Sequence, residues 1–101
     1  MDPAADFSKL YRMVDIEMTL FIASLALFSK ATLGKREARG QAERHLTRVL
    51  DLARKIGGKF LKDVETLDKD FRFFLNRPFE RTGTDKVLQD ALRIKHEVSE
   101  L

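Results

Sequence analysis

The sequence predicts an all-α fold, an antiparallel bundle of four helices. Apolar residues recur at alternating spacings of three and four along most of the chain, and helix breakers are scarce, with five Gly and two Pro among 101 residues. Such spacing places apolar side chains on one face of a helix. Because 44% of the residues are hydrophobic, the chain can bury a core. We therefore expect one domain over residues 1–101.

The first predicted helix begins with Asp2 as N-cap and Pro3 in its first turn, and we expect Gly34 to close it. Its main apolar row has unbroken heptad spacing and comprises Phe7, Tyr11, Val14, Met18, Phe21, Leu25 and Phe28. A second row on another face comprises Met13, Ile16, Leu20, Ala23 and Leu27. A helix that is apolar on almost all sides is usually central or shared with a partner.

The second predicted helix covers residues 35–56 and is followed by Gly57 and Gly58. Two glycines within a helix would cost about 2 kcal/mol relative to Ala, and Arg54 and Lys55 suit a last turn. However, the apolar row resumes after the glycines. We favour a break, which gives four helices; if the glycines only kink one long helix, the bundle has three. The row of the second helix comprises Ala42, Leu46, Val49, Ala53 and Ile56.

The third helix is predicted to end near Asn76, because Arg77 precedes Pro78 and is pushed out of helical geometry. Residues 77–83 are predicted to form a loop anchored by Phe79, and Thr84 is the expected N-cap of the fourth helix. The apolar rows of these two helices are Phe60, Val64, Leu67, Phe71 and Phe74, then Val87, Ala91, Ile94, Val98 and Leu101.

Composition excludes several classes of protein. The absence of Cys rules out disulfides, thiol catalysis and thiolate metal sites, and favours the cytoplasm. The longest uncharged stretch, residues 18–29, is too short for the roughly 20 residues that span a bilayer. The scarcity of Asn and Gln beside abundant Lys, Arg and Glu suggests a thermophilic source.

The net charge of +3 is concentrated in one region, because residues 30–62 carry ten positive and three negative side chains. Several of these cations form a stripe on the second helix, away from its apolar row: Arg44, Arg48, Lys55 and Lys59, with Lys62 if the helix continues. The stripe is either a solvated helix face or a surface for the phosphate backbone of a nucleic acid.

Arg39 and His45 are separated by five residues. This spacing resembles the Arg-x4-6-His motif of the HEPN helical RNases. The resemblance implies that Arg39 and His45 cleave a phosphodiester at a dimer interface. Gly40 stands where that family usually has a polar residue.

No other motif indicates catalysis. The carboxylates of the third helix lack the Glu-x-x-His pairs of di-metal bundles, and Gly57 and Gly58 lack the Lys-Ser/Thr ending of a phosphate-binding loop. We expect no enzymatic activity, no metal, no cofactor and no small-molecule substrate.

The leading hypothesis is a non-catalytic helical assembly or adaptor subunit, which self-associates or joins a larger complex through the first helix. The interface residues we expect are Ile16, Leu20, Ala23, Leu27, Phe73 and Phe79. The last two are either part of a small core under the predicted loop or a docking patch flanked by arginines. The alternatives are a nucleic-acid-associated subunit that uses the basic stripe and, less favoured, a HEPN-like RNase.

Overall fold

The computed structural model describes the backbone of residues 3–30, 34–76 and 81–100, and the side chains of residues 8–30, 34–75 and 85–100. The described backbone forms four α-helices and no strand. They are α1 (Pro3–Lys30), α2 (Lys35–Ile56), α3 (Gly58–Asn76) and α4 (Arg81–Ser99). The predicted all-α bundle of four helices is therefore confirmed.

Sequence neighbours in the bundle are antiparallel. Glu17, in the middle of α1, contacts His45 in the middle of α2, whereas ring contacts join Tyr11 to Phe60 and Phe28 to Phe74. Tyr11 and Phe60 lie in the N-terminal halves of α1 and α3, and Phe28 and Phe74 lie near their C-terminal ends, so α1 and α3 are parallel. Both of these helices pack beside α2 and α4, which places α1 and α3 diagonally across a bundle 49 Å long and about 20 Å wide.

Gly57 separates α2 from α3 by reversing the chain. Its φ of 77° and ψ of −163°, like the φ of 61° at Gly58, are values that glycine adopts without steric cost. The amide of Gly57 donates a 2.7 Å hydrogen bond to the carbonyl of Ala53, which completes the last turn of α2. The predicted break is confirmed, and α3 folds back along α2 instead of extending it.

The predicted apolar rows form the core. The buried members are Val14, Met18, Phe21 and Leu25 on α1, Ala42, Leu46, Val49 and Ala53 on α2, Val64, Leu67, Phe71 and Phe74 on α3, and Val87, Ala91, Ile94 and Val98 on α4. At the centre, Phe21 meets Phe71 edge to face, with 5.2 Å between the ring centroids. Partly buried residues such as Tyr11 and Phe28 extend this core towards the ends of α1. Phe7 and Leu101 lie outside the described side chains.

One predicted helix boundary was wrong, at the start of α4. Gly34 has a left-handed φ of 77° and directly precedes α2, where its carbonyl accepts a 3.0 Å hydrogen bond from the Ala38 amide. Its predicted role in closing α1 involves residues 31–33, which lie outside the described residues. The helix α4 begins at Arg81, so residues 81–83 are helical and Thr84 is not an N-cap. A favourable cap contributes only about 1 kcal/mol, and this preference did not stop the helix from starting a turn earlier.

Candidate protein-interaction surface

The second apolar row of α1 lies on the surface of the bundle. The exposed fractions of its large side chains are 45% for Met13, 60% for Ile16, 42% for Leu20 and 59% for Leu27, and Ala23 is also exposed. We call these five residues the outer row. Because the buried row faces the core and α2 and α4 flank α1, the outward face of α1 has no other described helix to cover it.

The outer row is free of charge along its length. Between Arg12 and Lys30, the only charged residues of α1 are Asp15 and Glu17. Asp15 turns towards α4, where it lies 3.4 Å from the Lys95 ammonium, and Glu17 turns towards α2. Both carboxylates therefore leave the outward face of α1 to apolar and small side chains.

A groove with two hollows runs between α1 and α2 beside the outer row. The first hollow, of about 310 Å³, is lined by Met13, Ile16, Glu17, Arg48, Asp51 and Leu52. The second, of about 460 Å³, is lined by Leu20, Ala23, Ser24, Leu27, Gln41, Arg44, His45 and Arg48. Arg48 borders both hollows, so they are adjacent sections of one groove, which we call the α1–α2 groove.

Glu17 joins α1 to α2 within this groove. Its Oε2 atom lies 2.7 Å from Nδ1 of His45, and its Oε1 atom lies 3.4 Å from Nη1 of Arg48. The side chains of Glu17 and His45 are each only 18% exposed. Because an ionised carboxylate can only accept hydrogen bonds, His45 donates from Nδ1, and this bond fixes the orientation of the ring.

The rim of the groove is mainly basic. On α1, Lys9 precedes the outer row and Lys30 follows it, at spacings that place both on the outward face, whereas Arg12 lines a hollow beside Val98 and Ser99 of α4. On α2, Arg44 and Arg48 line the groove, and Lys55 lies two turns beyond Arg48 on the same side.

Most of these cations form no ion pair. Among the five on the rim, only Arg48 forms an ion pair with another residue of the described chain. The acidic residues on the α2 side of the rim are Glu37 and Asp51, and Asp51 already lies 3.1 Å from the Arg54 guanidinium. The groove therefore combines an apolar wall with a rim of excess positive charge.

The predicted basic stripe is shorter than the sequence suggested. Arg44, Arg48 and Lys55 lie on exposed positions of α2. Lys59 and Lys62 are also exposed but belong to the first turns of α3. Because the chain reverses at Gly57, these two lysines do not continue the stripe on α2: Lys59 belongs to another helix, and the continuation on which Lys62 depended does not occur.

The predicted aromatic patch is only partly described. Phe73 is 57% exposed on α3, whereas Phe79 lies outside the described residues. Since α3 and α1 are diagonal in the bundle, Phe73 lies on a different face from the outer row. Leu92 on α4, another half-exposed apolar residue, was not singled out from the sequence.

The residues of the HEPN-like spacing do not meet within the chain. Arg39 pairs with Glu43 one turn along α2, at 3.3 Å, and His45 is held by Glu17. Six residues of an α-helix turn through 600°, so the two side chains leave α2 about 120° apart. The partner of His45 was missed in the sequence, although Glu17, at the border of a long uncharged stretch, was a signal.

Other polar clusters of the described chain pair with one another. Asp68 contacts Arg72 at 3.1 Å and Asp70 contacts Lys86 at 3.7 Å. Within the described ranges, no group of three or more His, Asp or Glu side chains is arranged to hold a metal ion. None of the helices, over their described residues, has both the length and the apolar character required to cross a bilayer.

Comparison of the chain with models of protein families, with curated proteins and with solved structures found no match. The likeness of Arg39 and His45 to the HEPN motif therefore rests on their spacing alone.

Proposed function

We propose that the protein is a non-catalytic helical assembly or adaptor subunit, which binds another polypeptide through the outer row of α1. The observation that carries this proposal is the exposure of Met13, Ile16, Leu20 and Leu27 on one uncharged helix face. Large side chains that are about half exposed in this number form a patch of roughly a few hundred Å², the upper end for soluble monomers. Patches of this size commonly mark interaction sites.

The energetics favour a covered state of this face. Full burial of a large aliphatic side chain contributes about 1.5–3 kcal/mol. Since each of these residues is already about half buried, a partner would add on the order of 1 kcal/mol for each one. Several such contributions, together with a polar rim, support a specific complex of moderate affinity.

Site-specific photo-cross-linking in the native cell tests the proposal. A photoreactive amino acid at Ile16 or Leu27 is expected to give discrete protein adducts. The same group at Lys62 or Glu97, exposed positions on α3 and α4, serves as the control and is expected to give none. Equal labelling at all four positions, or no adduct at Ile16 and Leu27, would contradict an interface on α1.

Binding of a nucleic acid through α2 is the second candidate function. Arg44 and Lys55 favour it, because both are exposed and neither has an ion-pair partner among the described residues. However, about three phosphate contacts give only weak, salt-dependent binding, and the neighbouring outer row offers nothing to a phosphate backbone. A shift of DNA or RNA in low-salt electrophoresis, lost on charge reversal at Arg48 and Lys55, would support this function; no shift would remove it.

The HEPN-like nuclease remains a third hypothesis and requires Arg39 and His45 of different chains to meet in a dimer. Cleavage assays on RNA with the wild-type protein and His45→Ala test it. If the wild type is inactive, or if the variant cleaves equally well, the hypothesis fails.

A further inference from the structure

We infer that the occupant of the α1–α2 groove is an acidic amphipathic helix of a different protein. This inference rests on the proposed function, because it names the partner of the same surface. Three properties of the groove lead to it: the spacing of its hollows, the sign of the charge on its rim, and the poor fit of the other possible occupants.

The spacing of the hollows matches a helix. Ile16 lines the first hollow and Ala23 the second, and seven residues of α1 span about 10.5 Å at 1.5 Å per residue. Side chains at positions i and i+7 of a partner helix are separated by the same distance, so one apolar side chain can enter each hollow. Helices that bind in grooves use anchors at i, i+3 or i+4, and i+7.

The rim specifies the charge of that helix. Lys9 stands at one end of the outer row, Lys30 stands at the other, and Arg44 and Arg48 border the groove along α2. Glu or Asp on the flanks of a partner helix would meet these cations, and complementary charge both steers association and fixes the register of the partner.

A second copy of the chain fits the outer row by shape but not by charge. Antiparallel pairing of two α1 helices about Leu20 would set Ile16 close to Ala23 of the copy, which is sterically favourable. The same pairing would bring Lys9 close to Lys30 of the copy, and parallel pairing would set each cation beside its own equivalent. Like charges opposed across an interface are unfavourable, so the basic rim disfavours self-association.

Membranes and nucleic acids fit the groove less well. The outer row has no Trp or Phe to insert at a lipid interface, and a flat layer of headgroups would not fill the two hollows of the groove. A phosphate backbone would match the cations but would leave the apolar wall uncovered.

Three synthetic peptides of about 18 residues, which at 1.5 Å per residue cover the length of the groove, provide the test. The first has Leu at heptad spacing with Glu and Ala elsewhere. The second replaces every Glu with Lys, and the third keeps Glu but replaces every Leu with Gln. Fluorescence anisotropy measures their affinities for the full chain, and ¹⁵N chemical-shift mapping locates the site.

The acidic Leu peptide is expected to bind α1 and α2, and each of the other two is expected to bind at least about tenfold more weakly. Salt is expected to weaken the acidic peptide's binding. Arg44→Glu and Lys30→Glu should weaken it and strengthen the binding of the Lys peptide, while Leu20→Ala should weaken both. Lys62→Glu and Leu92→Ala are the matched controls on α3 and α4, and both should leave the affinities unchanged.

The possible failures separate the two proposals. Equal binding of the Glu and Lys peptides, or binding of neither, overturns the acidic helix. A dimer in sedimentation velocity that Leu20→Ala dissociates also overturns it but leaves the proposed interface on α1 intact. Phosphatidylserine vesicles or a DNA duplex that bind at the mapped site, and that the acidic peptide does not displace, reassign the site. If none of these probes binds and the cross-linking at Ile16 and Leu27 fails as well, both proposals are wrong.

Discussion

The two apolar rows of α1 are similar in composition but opposite in environment. Val14, Met18, Phe21 and Leu25 have no exposed surface, whereas the large residues of the outer row are about half exposed. Both rows have heptad spacing and lie on one continuous helix. The difference is that three helices surround the first row, and none of the described helices covers the second. The helix α1 thus has two apolar faces, and the neighbouring helices bury only one of them.

The strongest test of this difference is a pair of truncations, one in each row. Phe21→Ala removes a ring that packs against Phe71 in the core, and it is expected to lower the free energy of unfolding by about 3–5 kcal/mol. Leu20→Ala, at the next position but in the outer row, should change it by about 0.5 kcal/mol. Urea unfolding followed by circular dichroism measures both. Similar losses for the two variants would show that the outer row belongs to a core.

The turn at Gly57 decides which row is buried, because it returns α3 to the core row of α1. A Cβ atom at position 57 would meet no atom within 4 Å, so the cost of Gly57→Ala is conformational. Its backbone lies in a region almost confined to glycine, and we expect a loss of about 1–3 kcal/mol in the free energy of unfolding.

Gly40→Ala is the matched control for this turn. Gly40 lies inside α2, and a Cβ atom there also meets nothing within 4 Å. Because Ala is the better helix former, this change should stabilise the protein by up to about 1 kcal/mol. Thermal unfolding of both variants gives the comparison. A stabilising Gly57→Ala would mean that α2 and α3 prefer to continue as one helix.

The contrast between the rows also separates what the sequence could predict from what it could not. Spacing identified most of the buried residues of the four helices, although Ser24, Ala38 and Leu52 are buried outside the predicted rows. The second apolar row of α1 also predicted a helix face that the rest of the bundle leaves exposed. The position of Glu17 beside the uncharged stretch was a signal, but its pairing with His45 also depends on the axial register of α1 against α2, which heptad spacing does not determine. Lys59 was placed on the basic stripe because a helical projection assumes that the helix continues, and Lys62 was included only on that condition.

A smaller effect concerns Glu17, which lies between the two rows. Glu17→Gln removes the carboxylate that holds His45 but preserves the size of the side chain. Because the Glu17–His45 bond is 2.7 Å long and mostly shielded from water, we expect the free energy of unfolding to fall by about 1 kcal/mol. Arg48 adds little to this value, since its side chain is 60% exposed.

Asp15→Asn is the control for Glu17, since it breaks an ion pair with Lys95 on the other side of α1. That pair is longer and more exposed, and its loss should cost less than about 0.5 kcal/mol. Urea unfolding at constant salt distinguishes the two variants, and equal effects would show that the Glu17–His45 bond is no more than a surface contact. Glu17→Gln also removes a negative charge from the groove, so it should strengthen the binding of the acidic Leu peptide while it weakens the fold. Asp15→Asn, on the far side of α1, should leave that affinity much less changed, because its charge lies outside the groove.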